Sequence, residues 1–332
     1  MMGDKGEEMK TTEMVLERLY KESGFVSGER LAALLGVSRN SVWKAVKSLK
    51  AQGYDIRTSN EGYFLGGEEF DEYAISRHLK REHRLHIYKK ESSSNTVAKT
   101  LCQTGEAEGS VVIVESQSAG RGRLGRSFLS SSENGLYMTI VLRPRIPVGE
   151  CVNITVACAV AVAQAIEETS GVKTGIKWVN DIYINDKKCA GILTEASIDF
   201  EGGGVQYAVV GIGVNLCPPK GGFDPEIEEI ACGVYENEYP KGYKALLCAQ
   251  IINNFFDLYE RLGEKKYLEV YKAKSIIIGK DVDVYVGDNV FGGVAIDIDE
   301  NANLVVKDEK GQLHTFGSGD ARVRKSCDKR GI

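Results

Sequence analysis

Apolar residues recur along the first 65 positions at the three- and four-residue spacing of amphipathic helices. Three helices are predicted, with apolar faces formed by Met14, Val15, Leu19 and Tyr20, then Leu31, Leu34 and Leu35, then Val42, Trp43, Val46 and Leu49. Ser27 and Ser38 are placed to cap the second and third helices, and Gly36 suits the tight turn between them. Two short helices joined by a glycine turn are typical of a helix-turn-helix, and the alternation in "YDIRTSNEGYFL" predicts a wing.

Beyond a linker-like "GGEEFDE", strand and helix patterns alternate as far as about residue 275. Strands are predicted at "LHIYKK", "GSVVIVES", "GLYMTIVLRP" and "QYAVVGIGVNL", and helices at "NTVAKTLCQ", 151–170 and "GYKALLCAQIINNFFDLYERL". "GIKWVNDIYINDKKCAGILTEAS" indicates strands around a tight turn. The pattern is that of an α+β or α/β domain with a sheet at its centre.

The last part of the chain alternates apolar and polar residues between glycine and asparagine turns, which predicts a small antiparallel barrel of SH3-like size. Three domains are therefore expected, a winged helix-turn-helix at 1–66, a central domain at 67–274 and a C-terminal β domain at 275–332.

The overall net charge of −5 argues against a chain that coats nucleic acid, but charge is unevenly distributed. Between positions 30 and 57, six cations stand against one acidic residue, Asp55. Short polar groups and cations at the start of the third helix suit base edges and phosphates. The predicted DNA contacts are Ser38, Arg39, Asn40, Ser41, Lys44 and Lys47. A winged helix used for protein docking, with a solvated basic face, is the alternative.

Eight cysteines without a CxxC pair predict reduced, mostly buried thiols and hence a cytoplasmic protein. The four histidines form no metal signature. "MMGDKGEEMK" lacks the apolar core of a signal peptide, and the apolar run at 154–163 is too short to cross a bilayer, so no membrane association is expected.

The stretch "QSAGRGRLGRSF" at 117–128 places Arg121, Arg123 and Arg126 in a glycine-rich segment that suits neither helix nor strand. Guanidinium groups on such a loop predict a binding site for an anion. Other polar residues stand at the ends of predicted strands: Ser93, Ser94, Asn95, Gln117, Lys177, Asn180, Asp181, Lys188 and Asn215. Taken singly, each of these is also explained as a helix cap, a turn or a surface charge.

Taken together, "GRGRLGR", "KWVNDIYINDKKCAGIL" and "GIGVN" resemble the biotin protein ligases in order and spacing. With the helix-turn-helix, the chain resembles the bifunctional class, which is both a biotin–[acetyl-CoA-carboxylase] ligase and the biotin operon repressor. The family usually has proline, threonine and tryptophan where this chain has Val179, Ser94 and Phe128. The resemblance implies an α+β fold with a mixed-sheet domain of the biotin/lipoate ligase type.

The resemblance also implies a two-step reaction, in which biotin and ATP form biotinyl-5′-adenylate and a carrier lysine then takes the biotin. ATP and Mg²⁺ are the implied cofactors, and biotin is the substrate. The implied catalytic residues are Lys188, Arg123 and Asp181, and Asp181 either holds Mg²⁺ or orients the acceptor lysine. The implied biotin-binding residues are Ser93, Ser94, Asn95, Gln117, Arg121, Gly122, Arg123, Trp178, Lys188 and Gly191. The implied nucleotide-binding residues are Arg121, Arg123, Arg126, Asn180, Asn215 and Arg324.

The implied partners are a biotin carboxyl carrier protein, operator DNA and a second copy of the chain, with adenylate promoting the dimer. The glycine-rich loop is expected to be mobile when empty and to close over the adenylate. Three alternatives remain: a regulator that only senses its ligand, a lipoate ligase of the same fold, and an RNA-binding arginine–glycine segment.

Overall fold

The computed structural model describes residues 10–22, 24–66, 70–126, 128, 130, 134–199 and 204–324. Predictions for the first nine residues, for 67–69 of the linker and for 325–332 concern positions outside this part. The chain divides into two compact units, residues 1–69 and 70–332.

The first unit contains three helices and a two-stranded antiparallel sheet. Its elements are α1 (Thr11–Lys21), α2 (Gly28–Leu35), α3 (Arg39–Ala51), β1 (Ile56–Ser59) and β2 (Gly62–Leu65). The hydroxyl of Ser27 accepts from the Arg30 amide at 3.1 Å, and the hydroxyl of Ser38 accepts from the Ser41 amide at 3.0 Å. These caps begin α2 and α3 as predicted, and Gly36 ends α2 with a φ of 66°.

Two predictions about the apolar faces of this unit are wrong. Leu34 is 50% exposed and Trp43 is 52% exposed. In α3 the buried stripe is formed by Val42, Ala45, Val46 and Leu49. A core between three short helices needs a narrow stripe from each, and the small Ala45 completes the one on α3. Trp43 lies beside that stripe and turns its indole outward.

The second unit is built on a seven-stranded sheet with the strand order β3-β4-β5-β9-β8-β7-β6. Its strands are β3 (Leu85–Glu91), β4 (Val111–Gln117), β5 (Gly135–Leu142), β6 (Gly175–Lys177), β7 (Asp181–Ile184), β8 (Lys187–Asp199) and β9 (Gly204–Asn215). The pair β3–β4 is parallel and the other pairs are antiparallel, so the predicted mixed sheet is confirmed.

Helices pack against this sheet and fill the core of the unit. They are α4 (Glu72–Ser76), α5 (Ser94–Gln103), α6 (Cys151–Ser170), α7 (Tyr243–Tyr259) and α8 (Tyr267–Ala273). The predicted helix at 151–170 is confirmed, and α6 packs against α7, α8 and β8. With the preceding turn, the helical segment Val148–Ser170 is long and apolar enough to cross a membrane, but 72% of its most apolar window is buried inside the protein. Its apolar surface is therefore used in the core.

A five-stranded antiparallel sheet closes the unit, with the strand order β13-β12-β11-β10-β14. Its strands are β10 (Asp281–Val286), β11 (Asn289–Ile298), β12 (Leu304–Lys307), β13 (Leu313–Phe316) and β14 (Asp320–Val323). The order found among the described residues is that of an open sheet, although the position and size match the small β domain expected. The Trp178 indole donates to the Ala302 carbonyl at 3.0 Å, which ties the connection between β11 and β12 to the segment that precedes β7.

Candidate active site and nucleic-acid interface

One cavity of about 140 Å³ collects nearly all of the predicted ligase residues. It lies where the start of α5, the arginine loop, the β7–β8 hairpin and strand β9 meet. The predicted residues that line it are Ser93, Ser94, Asn95, Gln117, Arg121, Gly122, Arg123, Arg126, Trp178, Asn180, Asp181, Lys188 and Gly191. Segments more than 200 positions apart in sequence, from Ser93 to Asp320, therefore contribute to one site.

Ser94, Asn95 and Thr139 form a buried hydrogen-bond network at one end of the cavity. The Thr139 hydroxyl lies 2.8 Å from Ser94 Oγ and 2.7 Å from Asn95 Oδ1. Asn95 Nδ2 donates to Glu195 at 2.8 Å, so its Oδ1 faces Thr139 and can only accept. Thr139 therefore gives its proton to Asn95 and receives one from Ser94. This leaves the oxygen of Ser94 free to accept from a ligand.

Gln117 fixes the same end of the cavity from the last position of β4. Its Oε1 accepts from the Ser94 amide at 2.7 Å, and its Nε2 donates to Ser130 Oγ at 3.0 Å. The start of α5 and the beginning of the arginine loop are thereby held together by one buried side chain.

The glycines of the "GIGVN" segment are required by what packs over β9. A Cβ on Gly211 would lie 2.2 Å from Asn95 Oδ1, and one on Gly213 would lie 2.6 Å from the Phe128 ring. Real Cβ atoms do not come this close to other heavy atoms, so any side chain here would displace the polar network or the ring. Gly211 and Gly213, two positions apart on β9, therefore form part of the cavity wall.

The arginine loop places Arg123 inside the cavity. Its guanidinium donates to Asn180 Oδ1 at 3.1 Å, while Asn180 Nδ2 donates to the Ile192 carbonyl at 2.7 Å. Burial lowers the pKa of Arg123, and the nearby Asp181 carboxylate partly offsets this. Because a guanidinium still remains charged at neutral pH, the cavity holds a partly desolvated cation aimed at its interior.

Lys188 and Asp181 stand side by side on the β7–β8 hairpin. Lys188 Nζ lies 2.7 Å from Asp181 Oδ1, and a Cβ on Gly191 would come within 3.1 Å of the lysine. The hairpin therefore presents an ammonium and a carboxylate to the cavity, where one could neutralise an acyl phosphate and the other could orient an amine.

Asp320, which the sequence did not single out, joins the C-terminal sheet to this site. Its carboxylate accepts from Arg126 at 2.8 Å and lies 3.8 Å from Lys177 Nζ. Burial raises the pKa of Asp320, but the hydrogen bond from Arg126 and the charge of Lys177 outweigh it and lower the pKa overall. Burial in turn lowers the pKa of Lys177. Asp320 thus neutralises two cations that line the cavity.

Two predicted residues lie elsewhere. Asn215 lines a neighbouring cavity of about 770 Å³, which shares Arg126, Phe128 and Lys188 with the first. That volume is within the range of small-molecule sites. Arg324 lines neither cavity, because its guanidinium donates to Asp283 Oδ1 at 2.6 Å on the C-terminal sheet.

Two residues of the cavity region, Thr139 and Asp320, were missed from the sequence. Thr139 is a polar residue in the middle of the apolar strand β5, and this is the one signal that could have marked it. Lys177 was noted at a strand end but given no role. Asp320 gave no signal, because only the folded chain brings β14 to the arginine loop.

In the described part of the chain, no group of three or more His, Cys, Asp or Glu side chains is placed to hold a metal ion. Of the carboxylates lining the cavity, Asp181 pairs with Lys188 and Asp320 with Arg126. Such a donor set fits Mg²⁺ that arrives with a nucleotide and is held largely by phosphate oxygens, with at most one or two carboxylates.

The first unit presents its predicted DNA contacts at the start and on the outer surface of α3. Arg39, Asn40, Lys44 and Lys47 are exposed, and no ion pair to them is found among the described residues. Ser38 and Ser41 are used in capping, since their hydroxyls lie 2.8 Å apart.

Comparison with known proteins finds matches for both parts of the chain. Residues 88–215 match the Biotin/lipoate A/B protein ligase family, and residues 11–64 match an HTH domain. The bifunctional ligase/repressor BirA of Bacillus subtilis is 32% identical to this chain, and the match covers 89% of this chain and 94% of the relative. The BirA of Escherichia coli is 25% identical, and that match covers 95% of this chain and 98% of the relative. A biotin protein ligase from Aquifex aeolicus, solved in complex with biotin and ATP, matches with a TM-score of 0.61 and 24% identity, over 73% of this chain and 99% of that one. This last similarity shows the fold. The chain belongs to the Biotin/lipoate A/B protein ligase family, as the resemblance in its motifs predicted.

Proposed function

We propose that this protein is a bifunctional biotin ligase and repressor. It activates biotin with ATP to biotinyl-5′-adenylate, transfers biotin to a lysine of a biotin carboxyl carrier protein, and represses transcription through its winged helix. The observation that carries the ligase activity is the convergence of the arginine loop, the Lys188–Asp181 hairpin and the Ser94–Asn95–Thr139 network on one cavity.

The buried polar network is proposed to bind the head of biotin. A ureido ring needs both donors and acceptors, and a site that pairs all of them discriminates strongly against analogues that lack them. Ser94 Oγ keeps acceptor capacity, and Gln117 Nε2 keeps one N–H after its bond to Ser130. Gly211 and Gly213 let Asn95 and Phe128 pack directly on β9, which shapes this end of the cavity.

The cations are proposed to bring together two negatively charged substrates. Attack of the biotin carboxylate on the α-phosphate of ATP joins an anion to a polyanion, so the site must neutralise charge in the transition state. Lys188 and Arg123 reach the reacting groups, and Arg121 and Arg126 bind the phosphates. Asn180 orients Arg123, and Asn215 lines the larger cavity, which is assigned to the nucleotide. Mg²⁺ accompanies the nucleotide.

Asp181 is proposed to act in the second step. Its carboxylate already holds an ammonium group, that of Lys188, at 2.7 Å. An acceptor lysine that approaches the adenylate would meet the same carboxylate, which can orient the incoming amine. Trp178 is buried at 3% exposure beneath this hairpin and supports its position.

The arginine loop is proposed to fold down over the adenylate. In the described part of the loop, the Gly122 amide donates to the Arg126 carbonyl at 2.7 Å, and the side chains of Arg123 and Arg126 tie the turn to Asn180 and Asp320. A bound phosphate would add charge-assisted bonds to its arginines. We expect proteolysis within 118–126 to be slower with biotin and ATP than without, whereas equal rates would contradict the closure.

Operator binding is proposed to use two copies of α3, one from each chain of a homodimer. A single short recognition helix reads few base pairs, and two helices about 34–36 Å apart would read two half-sites. We propose that the adenylate promotes the dimer, which would link biotin supply to repression. Sedimentation with and without biotin and ATP tests this, since equal dimerisation constants would contradict it.

The cytoplasmic location stays a prediction from the cysteine pattern.

One experiment tests the ligase function directly. The purified chain is incubated with biotin, ATP labelled at the α-phosphate and a biotin carboxyl carrier domain. Label is expected first in an adenylate and then in AMP, with biotin on the carrier. Lipoate in place of biotin is the control, because the family includes lipoate ligases. Adenylation of lipoate in preference to biotin would overturn the proposal. Formation of the adenylate without transfer of biotin to the carrier would indicate a protein that senses biotin but is not a ligase.

A further inference from the structure

Helix α3 carries two stripes with the same spacing on opposite sides. The buried stripe consists of Val42, Ala45, Val46 and Leu49, and the exposed stripe consists of Asn40, Trp43, Lys44 and Lys47. Both follow the i, i+3, i+4, i+7 pattern of one helical face. A tryptophan therefore occupies the position in the exposed stripe that a polar residue would be expected to hold.

Trp43 lies within a positively charged surface. Its side chain is 52% exposed, and Lys47 Nζ lies 5.4 Å from the centre of its ring. Helix α3 contains no acidic residue. The large indole is thus held in water by a helix whose core face is already complete, and it is surrounded by groups that suit DNA.

We propose that Trp43 is a base-contacting residue of the operator-binding surface and that it reads the 5-methyl group of a thymine in the major groove. Apolar side chains recognise thymine by this methyl group, while lysines beside them bind phosphates. The residue lies in the first half of a recognition helix, from which base edges are usually contacted. The inference rests on the proposed repressor function and adds a specificity residue that charge alone does not reveal.

The surroundings of Trp43 favour DNA over protein. If the indole were a contact between two copies of the chain, each copy would bring Lys44 and Lys47 towards the same residues of the other. Like charges brought together in this way oppose association. A polyanion, by contrast, gains from these lysines while the indole supplies the apolar contact.

The test uses the full-length chain with biotin, ATP and Mg²⁺. Duplexes with 40 random base pairs are selected on the wild type, and the enriched duplex is then made with each thymine in turn replaced by deoxyuridine, which lacks only the methyl group. We expect one or more replacements to weaken wild-type binding roughly fourfold, as expected for losing one buried methyl contact. Trp43→Ala should bind the enriched duplex about tenfold more weakly or worse and should be insensitive to those replacements.

Controls separate this contact from loss of fold or charge. Leu34→Ala removes a side chain of similar exposure on α2 and should keep the wild-type uracil sensitivity. Lys44→Ala should weaken binding to the enriched duplex and to a scrambled duplex alike, whereas Trp43→Ala should leave scrambled-duplex binding unchanged. Trp43→Phe keeps a flat apolar ring and should retain part of the discrimination.

Two results would overturn the proposal while leaving the repressor function intact. One is sequence-specific binding in which no thymine is sensitive to deoxyuridine, or is equally sensitive in Trp43→Ala. The other is a Trp43→Ala chain with unchanged operator affinity and an altered dimerisation constant, which would make the residue a protein contact. If no duplex is enriched at all, operator binding itself fails, and this inference fails with it.

Discussion

The two cationic regions of this protein look alike in sequence, but their cations differ in exposure to solvent and in the side chains that hold them. On α3 the cations stand on a solvated helix face without carboxylate partners among the described residues. In the ligase cavity, Arg123 is held by Asn180, Arg126 by Asp320 and Lys188 by Asp181. The first arrangement suits a long polyanion whose charge is spread over its length. The second holds each cation at a fixed place for one small ligand.

The difference follows from the surrounding structure. Salt screens the charges on a helix face that lies in water. Such charges bind nucleic acid mainly through the release of counterions from it. A partly buried cation has lost solvation, as the lowered pKa of Arg123 reflects, and it needs a neutralising partner until the substrate replaces it. Clusters of arginine and lysine therefore indicate anion binding, but the fold decides which kind of anion is bound.

The largest expected difference between the two regions is in the salt dependence of binding. If a dimer makes six or more phosphate contacts, operator affinity should fall by roughly 10³-fold or more between 50 and 200 mM salt. The dissociation rate of the adenylate should change less than about tenfold, because Arg123 and Lys188 are partly buried and a small bound ligand displaces few counterions. Fluorescence anisotropy of labelled operator DNA and filtration of labelled adenylate measure the two. Equal salt slopes would show that the comparison is wrong.

Substitution of Lys188 should give the next largest effect. Lys188→Ala is expected to lower the rate of adenylate formation about 10²–10³-fold, the usual cost of removing a donor that stabilises transition-state charge. Pyrophosphate release in single-turnover assays measures it. Lys187→Ala is the matched control, since Lys187 points away to the Glu228 carbonyl at 2.8 Å and should not affect the rate. A Lys188→Ala chain with normal pyrophosphate release would remove this residue from the mechanism.

Arg123 should affect retention of the intermediate more than its synthesis. Arg123→Gly removes charge-assisted bonds to the ligand, so adenylate dissociation is expected to be about 10–100-fold faster. Synthesis at saturating substrate should fall less than about tenfold. Arg145→Ala, an exposed arginine outside the cavity, serves as the control. A variant that holds the adenylate as long as the wild type would contradict closure of the loop.

The buried network should govern affinity for biotin. Thr139→Val removes the hydroxyl between Ser94 and Asn95 without a large change in volume, and KM for biotin should rise roughly tenfold. Thr155→Val is the matched control, because Thr155 also has a buried hydroxyl, bonded to Thr194 at 2.7 Å. Thr194 does not line the cavity, whereas Ser94 and Asn95, the partners of Thr139, do. If both variants raise KM equally, the effect comes from general loss of packing.

Most of the fold followed from periodicity, and the failures have physical causes. The helix at 151–170 was predicted at its true limits, because a long apolar run between turn residues has few other structures available. Trp43 was misplaced because hydrophobicity alone assigns a tryptophan to the core. In α3 the core stripe is complete without it.

The residues of the candidate site could likewise be predicted only in part from the sequence. Residues in tight local motifs, such as Arg123 and Lys188, could be found because the spacing of glycines and charges is visible along the chain. Asp320 could not, since its partners Arg126 and Lys177 lie more than 140 positions away and meet it only in the folded chain. Long-range neutralisation of charge depends on tertiary structure, and a single sequence does not reveal it.

Asp320 also supports the smallest prediction, a pH dependence of stability. Its pKa lies below the usual 3.8 in the folded chain, so its contribution is present above pH 3.8 and is lost as pH falls through the lower folded value. Asp320→Asn should lower the free energy of unfolding by about 1–2 kcal/mol at pH 6. In urea titrations this difference from the wild type should shrink between pH 4 and 3. Asp257→Asn, which removes an exposed pair with Lys80, should differ little from the wild type throughout. A constant deficit for Asp320→Asn across this range would mean that its carboxylate does not neutralise Arg126 and Lys177.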